Sequence, residues 1–100
     1  MEKLITVYWR DIPAQVIGKA GRNSIKRVLP QRFAEAIDRA AMRAGKGSSD
    51  AYLSEWRRVN SPVDGDLRAA VNATALQLDT AFSDEDLEKL VRAKGVAESN

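Results

Sequence analysis

The run Leu4-Ile5-Thr6-Val7-Tyr8-Trp9 constrains this chain more than any other segment. It is aliphatic, β-branched or aromatic throughout, which predicts a strand. Side chains alternate along a strand, so Leu4, Thr6 and Tyr8 share one face and Ile5, Val7 and Trp9 the other. Neither face is charged. Such a strand belongs at the centre of a sheet or under cover on both sides. Arg10-Asp11 ends the apolar run. Pro13 has no N–H to donate and predicts a strand start or an edge. Ala14–Lys19 reads as a second strand, returning antiparallel through a tight connection. Gly21–Ser24 reads as a turn, and Ser24–Leu29 as a third strand.

From Pro30 the period lengthens. Proline suits the first turn of a helix, where its missing N–H costs nothing. Phe33, Ile37, Ala41 and Ala44 then recur at helical spacing. Gly45 and Gly47 are expected to stop this helix, and Ser48 or Ser49 to cap a second one with the stripe Tyr52 or Leu53, Trp56 and Val59. Asn60–Gly65 reads as a loop. Asp64 or Asp66 opens a third helix with the stripe Leu67, Val71, Ala75, Leu78 and Phe82. Ser83 with Asp86 resembles a capping box, Asp standing for Glu, ahead of a last helix that ends at Gly95. The class is therefore α+β: an N-terminal antiparallel β-hairpin or three-stranded sheet followed by about four helices. One domain is expected over 1–95, with a frayed tail at 96–100. Two or three strands cannot stand alone in water, so the helix over 30–44 is expected to cover them.

The residues that are missing narrow the chemistry. There is no histidine and no cysteine among the 100 residues. The commonest general base, the thiol nucleophile, disulfides and the usual zinc ligands are therefore all absent. No catalytic residue, metal or cofactor is expected. Asp11 sits at an aromatic strand end, where it reads as the partner of an arginine or a turn cap. Asp84, Glu85, Asp86 and Glu88 fall in a helix's first turn, where the macrodipole favours negative charge. No apolar stretch approaches the roughly 20 residues that span a bilayer, and no secretory leader is read. The expected setting is cytoplasmic, away from membranes.

The net charge of +2 hides an asymmetry. Residues 1–60 carry twelve Lys/Arg against six acids, and 61–100 carry four against eight. A basic first half can attract an anionic partner. Trp, Tyr and Arg dominate binding hot spots. They fall together as Tyr8-Trp9-Arg10, beside Asp11, and again as Trp56-Arg57-Arg58. These seven residues are the candidate partner-binding set. Taken alone, each Trp reads first as core, flanked by an Arg that stacks on it or reaches solvent. An edge strand beside Pro13 offers a second route to a partner. A protein partner is the first reading. Nucleic acid, drawn by Lys19, Arg22, Lys26, Arg27, Arg32, Arg39 and Arg43 with Tyr8 and Trp9 for stacking, is the second.

Four blocks carry a resemblance: Thr6–Val16, Leu29–Phe33, Ala36–Gly45 and Tyr52–Arg58. Together they resemble the bacterial virulence-factor domain family, also found in larger proteins similar to conserved virulence factor C. The likeness covers about residues 4–60. It implies a link to virulence and a place near folate- and corrinoid-linked one-carbon genes. By that resemblance the role would be an accessory one, beside a one-carbon metabolism enzyme. It carries no catalytic residues with it.

Overall fold

Strand β1 (Glu2–Trp9) lies between two partners, as its paired apolar faces require. The computed structural model describes residues 2–46 and 49–97. Gly47 and Ser48, expected at a helix stop and a helix cap, lie outside the described residues, as do 98–100 of the expected tail. Strands β2 (Ile12–Ala20), β3 (Asn23–Val28) and β4 (Trp56–Pro62) complete an antiparallel sheet in the order β3-β2-β1-β4. The helices are α1 (Gln31–Arg43), α2 (Ser49–Leu53), α3 (Leu67–Ala81) and α4 (Asp84–Arg92). The class is α+β, as expected.

The sheet has four strands rather than two or three. Trp56 and Val59, expected on a helix, lie in β4, and so do Asn60–Pro62 of the expected loop. Helix α2 stops at Leu53, where the Ser54 hydroxyl donates to the Ala51 carbonyl at 2.9 Å. Beyond Trp56 every β4 residue is exposed. The strand therefore has no apolar alternation from which to be read. Strand β2 is an inner strand, not the edge expected beside Pro13. The pairing shifts between Val7 and Tyr8, opposite Ala14, and Pro13 sits next to this bulge.

Helix α3 lies across β2, β3 and β1, while α1, expected to be the cover, packs against β2 of the strands. Gly18 permits its approach. A Cβ there would meet Val71 Cγ2 at 2.6 Å and Leu67 Cδ1 at 3.0 Å. The α3 N-terminus is capped by Asp66, whose Oδ1 accepts the Arg68 amide at 3.0 Å. Helix α1 packs chiefly on α4, burying Phe33, Ala36, Ile37, Ala40 and Ala41 in a core shared with Leu87, Leu90 and Val91. Charge reinforces this helix pair. Arg39 donates twice to Glu88, at 2.8 and 3.0 Å. Arg32 donates to the Asp79 carboxylate at 2.7 Å and to the Phe82 carbonyl at 2.7 Å, which pins the α3–α4 connection. Ser83 and Asp86 form the capping box, each side chain accepting the other's amide at 3.1 Å.

Two outcomes follow. Phe33 is 1% exposed, so Phe33→Ala should lose about 3–5 kcal/mol of stability in denaturant titration. The Ser83 amide, bonding Asp86, and the Arg39 guanidinium, bonding Glu88, hold both carboxyls below their usual pKa. A folded pKa below the unfolded one adds stability above the ordinary carboxylate range of about 4 and removes it as pH falls through the folded values. Thermal melts from neutral pH downward should fall there, and Glu88→Gln should flatten part of that fall.

Candidate functional site

Six of the seven candidate residues meet at one corner, where the β1–β2 turn touches the start of β4 and the end of α4. The turn is only Arg10 and Asp11, and Arg10 takes a left-handed φ of 54°. Backbone bonds fix it from two sides. The Arg10 amide donates to the Glu55 carbonyl at 3.1 Å, and the Asp11 amide to the Gly95 carbonyl at 2.8 Å. Asp11 Oδ1 pairs with Arg57 at 3.2 Å, and its Oδ2 accepts the Ala97 amide at 2.6 Å. Arg57 Nε donates to the Arg10 carbonyl at 2.8 Å, and its guanidinium lies over the Tyr8 ring at 4.6 Å. Arg10 reaches Glu55 at 3.2 Å and the Lys94 carbonyl at 2.9 Å.

Trp9 lies beneath this corner and is fully buried. Its Nε1 donates to the Tyr52 carbonyl at 2.9 Å, and the two rings stack at 5.9 Å. Tyr52 meets Trp56 edge-on at 5.7 Å. Burial, with Asp38 adding to it, raises the Tyr52 pKa. Trp56 is half-buried. The corner thus offers solvent Arg57 and Asp11, already bonded to each other, and keeps Trp9 inside. Arg58 makes no side-chain hydrogen bond or ion pair with the other six among the described residues. It is opposite Val7, on the other face of the sheet from Arg57.

The register shows a surface that the linear reading did not assemble. Residues directly opposite across strands share a face. Lys3, Ile5 and Val7 therefore share one with Ile17, Lys19, Lys26 and Arg58. Helix α3 covers the other face, at Gly18. No Asp or Glu occupies a strand position on the Lys3 face, and none of its four cations has a carboxylate partner among the described residues. Asp38 of α1 lies near its Gln15 end. The four cations come from four strands. Only the antiparallel register, including the unforeseen β4, brings them together.

A pocket of about 530 Å³ lies beside Asp11, between the end of α3 and α4, and is lined by Phe82, Asp86, Lys89, Leu90 and Arg92. Its two carboxylates are engaged: Asp11 with Arg57 and the Ala97 amide, Asp86 with the Ser83 amide, which holds it ionised. The Asp86 shift is downward, opposite to what a general acid needs. No helix among the described residues is long and apolar enough to cross a membrane.

A family model described as Virulence factor matches residues 7–91, from β1 through α4. The match extends past the residue-by-residue likeness of 4–60 into the two C-terminal helices. No curated protein and no solved structure matches the chain.

The corner separates two adjacent arginines. Arg57→Ala removes the Asp11 pair, the bond to the Arg10 carbonyl and the stack on Tyr8, and should cost about 1 kcal/mol. Arg58→Ala should leave the melting temperature within error of the wild type. Gly95 has φ 86°, and a Cβ there would meet Trp9 Cζ3 at 2.8 Å. Gly95→Ala should therefore cost more than either, about 1–3 kcal/mol. Chemical denaturation of the three variants checks this order.

Proposed function

The chain belongs to the virulence factor family, and we propose that it is a non-catalytic accessory domain that binds another protein. The observation that carries this reading is the sheet face of Lys3, Lys19, Lys26 and Arg58 around Ile5, Val7 and Ile17. Ile5 and Val7 are buried beneath this face, so what it exposes is unpaired cations, which suit the acidic surface of a partner. Of the candidate set Tyr8, Trp9, Arg10, Asp11, Trp56, Arg57 and Arg58, Arg58 is the exposed member on this face; Trp9 and Trp56 share its alternation, but Trp9 is buried and Trp56 half-buried.

Nucleic acid suits the same cations less well. Single-strand binders stack bases on open aromatic rings. Here Trp9 is buried and Tyr8 is covered by Arg57. The family resemblance, which places stand-alone members near folate- and corrinoid-linked one-carbon genes, makes an enzyme of that kind the first partner to test.

The test is capture from cells of the native host by tagged wild type and by the charge-reversed variant Lys19→Glu/Lys26→Glu/Arg58→Glu, each with and without nuclease. The expected result is a stoichiometric protein that survives nuclease on the wild type and is lost from a variant with unchanged circular dichroism. Release by nuclease would transfer the reading to nucleic acid. Equal capture by wild type and variant would remove the sheet face from the site.

A further inference from the structure

We propose that the free edge of β3 takes an extended acidic segment of a protein partner as an added strand, with one of its apolar side chains in the groove between β3 and α3. This rests on the protein-binding reading above and names the place and chemistry of the contact.

Three features converge on this edge. Strand β3 pairs with β2 alone, and among the described residues no backbone bond joins Asn23–Val28 to anything else. Every second N–H and C=O therefore points outward, as a template for another strand. Beside it runs a groove of about 250 Å³ lined by Arg27, Val28, Leu29, Ala75 and Leu76. Val28 is 63% exposed and Leu76 66%, large apolar side chains on two different elements. The groove's carboxylate, Asp79, is held by Arg32 at 2.7 Å. An extended chain added to a sheet edge gains its affinity from backbone bonds and its specificity from such side-chain pockets.

Charge selects the occupant. Between Asp11 and Glu35 the chain has five cations and no acid. Arg32 is paired, and Lys19, Arg22, Lys26 and Arg27 have no carboxylate partner among the described residues. A second copy of this edge would bring the same cations against them, so like charge opposes self-pairing. A nucleic acid would meet the cations but leave the outward amides and the apolar groove unused. An acidic strand with alternating apolar residues satisfies all three features.

The test uses the full ¹⁵N-labelled chain and a blocked synthetic peptide of alternating Glu and Val. The expected result is shifted and exchange-protected amides over Asn23–Val28, with a shift at Leu76. Affinity should fall by about tenfold or more in Lys26→Glu/Arg27→Glu, and by a similar factor for the same peptide N-methylated at alternate residues. If the double variant unfolds, the methylated peptide still decides, because it changes only the ligand. Equal binding of the methylated peptide would reduce the contact to charge and overturn strand addition. No binding, shifts confined to β4, or displacement by oligo(dT) from the same amides would overturn it too. None of these outcomes depends on capture from cells, so the broader reading stands or falls separately.

Discussion

Trp9 is the largest fully buried side chain, and segments far apart in sequence converge on it. Ile12 faces it across the hairpin, Trp56 opposes it from β4, Tyr52 stacks on it, and Gly95 approaches its ring from the end of α4. A buried indole needs a partner for its N–H. The last carbonyls of a helix lack intrahelical donors. The Tyr52 carbonyl, one residue from the end of α2, accepts the Glu55 amide at 3.3 Å and also receives the indole N–H at 2.9 Å. Short as it is, α2 therefore has a definite task. It presents a carbonyl and a ring to Trp9, then turns the chain back into the sheet.

The sheet is used asymmetrically. Its Gly18 face is filled by α3, and its inner strand is apolar on both sides, yet no strand position on the opposite face carries an acid. Of the acids of the second half, Asp66 and Asp86 cap helices, and Asp79, Asp84 and Glu88 pair with α1. The two-signed sequence is thus spent in two ways. Negative charge locks the helices to one another, and positive charge is left on the strands.

Much of the fold was legible from residue pattern. The central strand, the class, an aspartate cap at 64 or 66 and the Ser83–Asp86 box each follow from local rules, and the structure chooses Asp66. Strand β4 was not legible. Its residues after Trp56 are all exposed, and Tyr52, Trp56 and Val59 mimic a helical stripe. The larger share of α3 in covering the sheet was not legible for a related reason. Phe33 and Ile37 give α1 the clearer stripe, but the contact that decides sheet cover is Gly18 against Val71, between residues 53 positions apart. Of the candidate residues, the grouping of Tyr8–Asp11 with Trp56 and Arg57 was visible as composition. Their mutual satisfaction, and the burial of Trp9, depend on a turn whose partners lie at 55 and 95. The basic sheet face needed the register of all four strands.

The contact of Trp9 with Gly95 also bears on how the molecule is made. A chain emerging from the ribosome exposes its first hairpin long before residue 95 exists. Until then the indole lacks one wall of its pocket, and the Asp11 amide lacks the carbonyl that will receive it. Local helices can form early, but this closure spans nearly the whole chain, and contacts of such long separation form late and slowly. The most apolar segment of the protein is therefore the one that waits longest for its cover. During synthesis it is the stretch that most needs a chaperone's shelter.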